Sequence, residues 1–333
     1  MRSFLSFIGI TAVFLPFLAA DDNYNFYRIP ENAPDKSNVL TKTGVALIGG
    51  GSDCIPAFNW MIDHANGGDF VILRATGADA YNQFVYDLSV SNNQTLNSVT
   101  TIVFNNRAPS YDPAVLKLVA NAEVVFFAGG DQLRYLNFWQ DTPLQKLLNE
   151  KLRKVTMGGT SAGLAILGNW IYSAENGSAF SDESLLNPYN KYITIAGDFL
   201  KIPFMTQVIT DTHFSARDRM GRFLSMMARI QTDLVHGQHD VHGIAIDEVT
   251  ALLLDIATGS VQTVGSNQAY VCTAHTQPSV CTPNSPLTFS HIPCVRLVAG
   301  DVFSLDTWQG AGVAYEIDVI EGRYGYGTKP YGP

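Results

Sequence analysis

The sequence predicts an α/β fold of three layers, in which a mostly parallel sheet is flanked by helices. Short, continuously apolar runs such as residues 70–73 and 124–127 recur between helical segments. Strands that are apolar along their whole length are typical of parallel sheets covered on both faces. Glycine clusters follow several of these runs, and sites in such folds form at the carboxyl ends of strands.

Strand and helix alternate regularly from residue 44 onward. A strand at 44–48 ends in the glycine triplet 49–51 and leads into a helix, with Ser52 or Asp53 as its cap and Pro56 in its first turn. Further strands are predicted at 70–73, 101–104, 124–127 and 155–157, and helices at 113–121 and about 133–152.

The pattern changes from about residue 207. Strand-like runs at 243–246, 251–256 and 262–264 surround the turn signal Thr258-Gly259. This indicates an added antiparallel edge in the C-terminal part. The sequence shows neither an internal repeat nor a domain linker, so we expect one α/β domain over 44–333, preceded by a polar arm over 21–43.

The first residues indicate secretion. Arg2 precedes an apolar run over 4–18, and Leu18-Ala19-Ala20 offers a small-residue cleavage site. We therefore expect a signal peptide over 1–20 and an extracellular protein without a membrane contact after cleavage. An uncleaved anchor is the alternative, and the short run argues against it. The sequons Asn93-Gln94-Thr95 and Asn176-Gly177-Ser178 fit a secreted glycoprotein.

The four cysteines form an even set, which secretion allows to pair. Three of them, Cys272, Cys281 and Cys294, lie in a Pro/Ser/Thr-rich loop near 272–294, and the fourth is Cys54. Three connectivities satisfy this set, and the sequence does not choose among them. The spacing does not match a zinc pattern.

Charge and loop chemistry exclude several classes of partner. The formal net charge is −9 without a basic cluster, which argues against a nucleic-acid partner. The glycine triplet 49–51 resembles the start of a dinucleotide loop, but Cys54 stands where the third glycine of that motif belongs. A strand-end turn is the better interpretation, and we expect neither a cofactor nor a metal. The oligomeric state stays open, with a homodimer as one alternative.

The segment GTSAG at 159–163 matches the G-x-S-x-G pattern of a nucleophile on a strand-to-helix turn. The alternative is a small-residue turn in a packed sheet. Its position between an apolar strand and an apolar helix favours Ser161 as a nucleophile. The amide of Ala162 and an amide of Gly129-Gly130, at the end of the preceding strand, are candidates for an oxyanion hole.

A base and an orienting acid follow along the chain. His213 comes at the end of a strand-like run and precedes a helical segment at 216–230. Asp247 and Glu248 end the run 243–246, and strand alternation places them on opposite faces, so either one is a candidate to orient the histidine. The order serine, histidine, acid differs from that of α/β-hydrolases.

Three arginines follow the histidine. Arg219 and Arg222 share a helix face at spacing i, i+3, and with Arg217 they are candidates to bind a substrate carboxylate. The alternative is a solvated helix face paired with Asp218.

Four motifs together resemble the cyanophycinase branch of peptidase family S51. They are FAGGDQ at 127–132, GGTSAG at 158–163, DTHF at 211–214 followed by the three arginines, and GIAIDE at 243–248. They come in the family order and cover roughly residues 44–260. The resemblance implies a fold like that of class I glutamine amidotransferases, with serine in place of cysteine, and hydrolysis of bonds next to aspartyl residues. Cyanophycinases cut the β-Asp-Arg polymer to β-aspartyl-arginine.

The resemblance also implies roles for individual residues. Ser161 corresponds to the nucleophile, His213 to the general base and Glu248 to the orienting acid. The residues that correspond to the substrate pocket are Gln132, Asp211, Arg217, Arg219 and Arg222. Thr212 departs from the family pattern, which has glutamine before the histidine, and this leaves the exact substrate open.

Three hypotheses of function follow. The first is a secreted serine peptidase or isopeptidase that cleaves beside an aspartyl residue through an acyl-enzyme. The second is a catalytically inactive binding protein of the same fold. The third is an α/β-hydrolase-type esterase, with His275 or His291 as its base.

Overall fold

The structure, a computed structural model, describes residues 22–333. The predicted signal peptide over residues 1–20 lies outside these residues. Among the described residues, every helix is too short or too polar to cross a bilayer.

The strands fall into two sheets. In chain order they are β1 (Tyr24–Ile29), β2 (Gly44–Ile48), β3 (Asp69–Arg74), β4 (Ser98–Phe104), β5 (Val124–Phe127), β6 (Thr156–Thr160), β7 (Trp170–Tyr172), β8 (Ile195–Gly197), β9 (Val208–Asp211), β10 (Val241–Ile246), β11 (Thr250–Leu254), β12 (Ser260–Gly265), β13 (Ala269–Ala274), β14 (Phe289–Leu297), β15 (Val302–Ser304), β16 (Gln309–Gly310), β17 (Val313–Ile320) and β18 (Arg323–Tyr324).

The helices lie mostly between strands of the first half of the chain. They are α1 (Ile55–Ala65), α2 (Ala80–Ser91), α3 (Pro113–Asn121), α4 (Gln132–Trp139), α5 (Pro143–Lys151), α6 (Ala162–Ala165), α7 (Ser181–Leu186) and α8 (Met220–Arg229). Two 3₁₀ helices cover Ala108–Tyr111 and Ser215–Arg217, and a π-helical turn over Ile230–Leu234 continues α8.

The first sheet has ten strands in the order β1-β4-β3-β5-β6-β2-β11-β12-β15-β16. Strands β4, β3, β5, β6 and β2 run parallel to their neighbours within this set. Strands β11 and β12 add to β2 in antiparallel order. The predicted α/β class, with a parallel core and an antiparallel addition from the C-terminal part, is therefore confirmed.

The structure contains a second sheet, which the sequence does not predict separately from the first. Its eight strands have the order β18-β17-β14-β13-β10-β9-β7-β8. Only the pairs of β9 with β10 and with β7 are parallel. The run 243–246, which the sequence predicted as part of the antiparallel edge, belongs to this sheet as β10, whereas the other two runs form β11 and β12.

Both faces of the parallel strands are buried, as their apolar sequences predict. On β2, Val45 and Leu47 belong to a cluster that also contains Ile244 and Ile246 of the second sheet. The alternate β2 residues face a different cluster, which includes the buried face of α1. The two sheets therefore share a core through one face of β2.

Several predicted boundaries shift for identifiable reasons. The arm over 21–43 is not irregular throughout, because β1 pairs antiparallel with β4. The helix predicted over about 133–152 is two helices, since the helical conformation is interrupted before Pro143. Neither Ser52 nor Asp53 caps α1: its N-cap is Cys54, and the Asp53 carboxylate is hydrogen-bonded to Tyr81.

The cysteines pair once among the described residues. Cys272 and Cys294 are cross-strand partners on β13 and β14 and form a disulfide. Cys54 and Cys281 are buried as free thiols. Burial raises the pKa of both thiols, because the thiolate would lose its hydration.

Candidate active site

The carboxyl ends of strands from both sheets meet at one place. The amide of Ser161, just after β6, donates to the carbonyl of Ile48 at 3.1 Å, and the amide of His213, just after β9, donates to the carbonyl of Gly49 at 2.8 Å. The second of these hydrogen bonds joins the second sheet to the first. The candidate site therefore lies at the seam between the sheets.

Ser161 occupies a sharp turn between β6 and α6. Its backbone has φ +53° and ψ −115°, a conformation that costs a non-glycine residue on the order of 1–3 kcal/mol. The turn is tight because Gly163 packs on the neighbouring strand β5: a Cβ there would lie 2.0 Å from the carbonyl oxygen of Phe127. The small residues of the GTSAG segment thus permit a strained serine that is partly exposed.

Ser161, His213 and Glu248 form a chain of short hydrogen bonds. Ser161 Oγ lies 2.7 Å from His213 Nε2, and His213 Nδ1 lies 2.6 Å from Glu248 Oε1. A carboxylate accepts only, so Nδ1 carries the proton and Nε2 accepts from the serine hydroxyl. This is the tautomer that a general base requires.

Glu248, and not its neighbour Asp247, contacts the histidine. Asp247 is buried, and its Oδ1 accepts the amide of Ser215 at 2.7 Å. Burial raises the pKa of this carboxyl. The two acids point to opposite sides of the chain, as strand alternation predicts, and Asp247 fixes the loop that follows His213.

The environment lowers the pKa of His213. Burial of the ring has the largest effect, and the positive charges of Arg217 and Arg219 add to it, whereas the hydrogen bond to Glu248 opposes them. A lowered pKa keeps the imidazole neutral at neutral pH, when a base must be able to accept a proton.

The glycine triplet 49–51 packs directly against this chain of residues. Gly50 has φ +103°, and a Cβ there would lie 2.5 Å from His213 Cε1. Gly51 has φ +75°, and its Cβ would lie 2.7 Å from the Cβ of Glu248. The sequence predicts only a strand-end turn for this triplet. Its position between β2 and the histidine, which depends on the strand order, is what gives it a role.

The candidate oxyanion donors lie beside Ser161. Ala162 begins α6, so its amide has no intrahelical acceptor. Strand β5 neighbours β6, and a Cβ on Gly129 would lie 3.5 Å from the Cβ of Ser161. Gly130 follows with φ +152°. The Tyr135 hydroxyl, which sequence reasoning missed, donates to the carbonyl of Ala128 at 2.8 Å and holds this loop.

Some of the predicted substrate-pocket residues form a buried ion pair, whereas others are more exposed to solvent. Arg222 and Asp211 are each 2 % exposed and bind each other through two hydrogen bonds. Arg222 also donates to Ser178 Oγ and stacks on Tyr172. The sequence predicts that Arg222 and Asp211 face the substrate. In the structure they pair with each other, and this buried ion pair holds the end of β9, two residues before the histidine.

The remaining predicted residues are less enclosed. Arg219 donates to the carbonyl of Thr212 at 2.8 Å, and burial lowers its pKa to about 10. Gln132 donates to the carbonyl of Tyr172 at 3.1 Å. Arg217 is different: its side chain is 52 % exposed and its Nε lies 4.0 Å from Glu248 Oε1. Of the three arginines, Arg217 alone offers a largely solvent-accessible guanidinium beside the histidine.

The segment after His213 is not one helix, contrary to the prediction over 216–230. A 3₁₀ helix covers Ser215–Arg217, Asp218 adopts a left-handed conformation with φ +47°, and α8 begins at Met220. The chain turns here because Asp218 is held by two partners from distant segments: Ser181 donates to its carbonyl and Tyr331 to its carboxylate. Arg217 consequently lies outside α8.

The histidines of the esterase hypothesis lie in other surroundings. His275 Nδ1 is 2.9 Å from Asp240, and His291 Nδ1 is 2.9 Å from Glu316. Both side chains are exposed, and the imidazole that hydrogen-bonds Ser161 belongs to His213. The geometry therefore gives the third hypothesis no support.

The chain is similar to curated cyanophycinases. It is 31% identical over 187 residues to the cyanophycinase of Trichormus variabilis, which covers 54% of this chain and 56% of that protein. It is 29% identical over 282 residues to that of Geminocystis herdmanii, covering 80% of this chain and 96% of that protein. The chain thus spans just over half the length of the first of these relatives and nearly all of the second.

A solved structure and a family profile agree with these similarities. The crystal structure of a peptidase from an acI-B1 Actinobacterium matches with a TM-score of 0.54 at 19% identity, covering 80% of this chain and 98% of that one. At this identity the match shows a shared fold. The sequence profile described as "Peptidase family S51" matches residues 79–257, more than half of the chain. The chain therefore belongs to peptidase family S51.

Proposed function

We propose that this protein is a serine peptidase or isopeptidase that hydrolyses bonds beside an aspartyl residue through an acyl-enzyme. The observation that carries the proposal is the hydrogen-bonded chain from Ser161 through His213 to Glu248, with 2.7 Å and 2.6 Å between its atoms. Such a chain activates a weak nucleophile by providing a base that is itself oriented. The strained turn at Ser161 supports the same role.

In the first half of the reaction, Ser161 Oγ attacks the carbonyl carbon while His213 Nε2 takes the hydroxyl proton. Glu248 holds the imidazole and stabilises its positive charge. The amides of Ala162 and Gly130 stabilise the oxyanion. His213 then gives its proton to the amine, the C–N bond breaks, and an acyl-Ser161 ester remains.

In the second half, His213 Nε2 takes a proton from water, which attacks the ester carbonyl. The C–O bond to Ser161 breaks, the serine recovers its proton from His213, and the carboxylate product leaves. Every proton that His213 accepts is passed on, first to the leaving amine and then to Ser161, so the reaction consumes one water molecule and needs no other co-reactant.

The substrate class is proposed on two observations. The relatives named above are cyanophycinases, which suggests a β-aspartyl linkage. A β-linked aspartyl residue presents a free α-carboxylate, and Arg217 offers an exposed guanidinium beside the histidine. Thr212 limits the analogy, since it is 6 % exposed and its hydroxyl lies 3.3 Å from Arg219.

The test is incubation of the purified protein with β-Asp-Arg polymer, an α-linked aspartyl peptide and an unrelated protein, with identification of the products. We expect cleavage of the β-linked polymer. Ser161→Ala is the matched control and should lose at least about a thousandfold in rate while its melting temperature is unchanged. Retained turnover in that variant would refute the serine mechanism.

Other outcomes separate the alternatives. Cleavage of the unrelated protein but not of the polymer would refute the aspartyl specificity alone. Failure of a fluorophosphonate probe to label folded wild-type protein would favour the inactive binding protein.

We also propose that the protein is secreted and glycosylated. The support is the apolar N-terminal sequence together with the two sequons, whose asparagines Asn93 and Asn176 are exposed. Expression in a eukaryotic secretory host should give medium-borne protein that begins near Asp21 and gains mobility after endoglycosidase treatment. Retention of residues 1–20 in the cell-associated product would contradict secretion.

A further inference from the structure

A tyrosine outside the family-matched region reaches the loop that carries His213. Tyr331 lies beyond the matched residues 79–257. Its hydroxyl donates to Asp218 Oδ1 at 2.7 Å and accepts the amide of Met220 at 3.2 Å. Since Met220 is the first residue of α8, this hydroxyl also satisfies a backbone donor that the helix leaves open.

The ring of Tyr331 closes an aromatic pocket around the residue next to the histidine. Phe214 is fully buried, and its ring packs against Phe223 and Tyr270, each with 5.2 Å between ring centroids. Tyr331 forms a third wall at 5.7 Å in an edge-to-face arrangement. These contacts on three sides fix the Phe214 ring and therefore the backbone of Phe214. His213 is the preceding residue, so its backbone is restrained as well.

The loop needs such support because its backbone is strained twice. His213 has φ +46° and Asp218 has φ +47°, and neither is a glycine. Conformations of this kind persist only where the surroundings over-determine them. Tyr331 touches the loop at Phe214, Asp218 and Met220, so it acts on both sides of the second strained residue.

The tyrosine is itself anchored. The carbonyl of Pro330 accepts a hydrogen bond from the hydroxyl of Tyr315 on β17, and the amide of Gly332 donates to the carbonyl of Lys329. The segment around Tyr331 thus has a fixed place on the second sheet, from which the side chain extends to the histidine loop.

We propose that Tyr331 is a positioning residue for the reaction: it holds the loop 213–220 so that His213 Nε2 stays within hydrogen-bond reach of Ser161. The inference rests on the function proposed above and adds to it a residue from outside the region that defines the family. Small displacements of a base are costly, because a shift of about 1 Å can reduce a rate by roughly a hundredfold.

The experiment compares Tyr331→Ala and Tyr331→Phe with Tyr326→Ala. Tyr326 lies in the same C-terminal segment and is fully exposed, so it serves as the matched control. Two quantities are measured: kcat and KM for the β-linked polymer, and hydrogen–deuterium exchange of the peptide that spans residues 213–220.

We expect Tyr331→Ala to lower kcat by roughly 10- to 100-fold with KM within a few-fold, and to accelerate exchange in 213–220. Tyr331→Phe keeps the ring and loses the hydroxyl, so its losses should be smaller. If the alanine variant fails to fold, the phenylalanine variant carries the comparison. Tyr326→Ala should match the wild type in both measurements.

Two results would overturn the proposal: unchanged exchange in 213–220, or faster exchange with kcat within about twofold of wild type. The second would show that Tyr331 stabilises the loop without positioning the base. An inactive wild type is a different failure, since it contradicts the proposed function, and the exchange data then decide alone whether Tyr331 holds the loop.

Discussion

The carboxyl ends of the parallel strands form one edge of the sheet, and their amino ends form the opposite edge. Both edges carry buried ionisable side chains, but these side chains serve different purposes. At the carboxyl edge lie Ser161, His213 and Glu248. At the amino edge, Glu123 accepts the amide of Asp69 at 2.6 Å, and Asp69 in turn accepts from Ser98 and from the amide of Lys36.

Perturbed pKa values occur at both edges. Burial raises the pKa of Glu123 to about 7, and burial lowers that of Lys151 to about 8. At the carboxyl edge the pKa of His213 is lowered. Because burial is the main cause in each case, a shifted pKa reports an enclosed group and does not by itself identify a reactive one.

The two edges differ in which residues have a strained backbone and in what their polar side chains bind. At the amino edge the left-handed residues Asn66 and Gly67 end α1, where such conformations are ordinary, and the carboxylates tie strands and the N-terminal arm together. At the carboxyl edge, strain falls on Ser161 and His213 themselves. A partly exposed, strained nucleophile with an oriented base is therefore the better sign of chemistry.

Among the variants that compare the two edges, the largest effect on activity is expected from a methyl group added at the carboxyl edge. Gly50→Ala should lower kcat by at least about a hundredfold, because its Cβ would lie 2.5 Å from His213 Cε1 and displace the base. Gly67→Ala is the matched control at the amino edge: its φ is also positive, at +72°, but its Cβ would lie 3.2 Å from the end of the Lys36 side chain and 3.4 Å from the carbonyl oxygen of Thr95, away from the histidine.

Both variants should lose some stability, since alanine is disfavoured at positive φ. The measurements are kcat at saturating substrate and the melting temperature. Equal rates for the two variants would erase the distinction drawn between the edges.

A smaller effect is expected from Arg217→Gln. The guanidinium disfavours the imidazolium form, so its removal should raise the pKa of His213. The neutral base then forms only at higher pH, and the acid limb of the kcat/KM profile should move upward. The shift should stay below about one pH unit, because an exposed charge is screened by solvent.

Arg153→Gln is the control for this prediction, since Arg153 is exposed and precedes β6 at the amino edge. Its profile should coincide with that of the wild type. A downward shift in the Arg217 variant would contradict the assigned sign.

The smallest effect is expected from Glu123→Gln, and on stability alone. A carboxyl whose pKa rises from 4.5 to about 7 on folding binds its proton more tightly in the folded state. Its stabilising contribution is present below pH 4.5 and is lost as the pH rises through about 7. Glutamine does not titrate, so the melting temperature of the variant relative to wild type should increase between pH 5 and pH 8.5.

Activity per folded molecule should not change in the Glu123 variant. A melting-temperature difference that stays constant over this pH range would contradict the raised pKa.

Much of the first sheet follows from local sequence, because its strands are continuous apolar runs closed by glycines. The boundaries of β5 and α3 are as predicted, and the Asp112 side chain caps α3 as its position before Pro113 indicates. The family motifs named Ser161, His213 and Glu248, and these residues lie together. Local sequence patterns are sufficient to predict an element where its own residues specify where it begins and ends.

The rest depends on contacts between distant residues. The pairing of β1 with β4 and the separate second sheet are not encoded in any local period. The break of the helix at Asp218 involves hydrogen bonds from Ser181 and from Tyr331, 37 and 113 residues away in sequence. The ion pair of Arg222 with Asp211 spans 11 residues and forms because β9 and α8 lie side by side.

The location of Ser161, His213 and Glu248 at the seam has a consequence for folding. The hydrogen bond from Ser161 to His213 spans 52 residues and joins loops of different sheets, and that from His213 to Glu248 spans 35. Contacts of such sequence separation form slowly, because chain closure precedes their stabilisation. Neither sheet alone assembles the site. During refolding, hydrolytic activity should therefore recover only when the two sheets dock. This recovery should come later than the spectroscopic signals that report burial of side chains within either sheet.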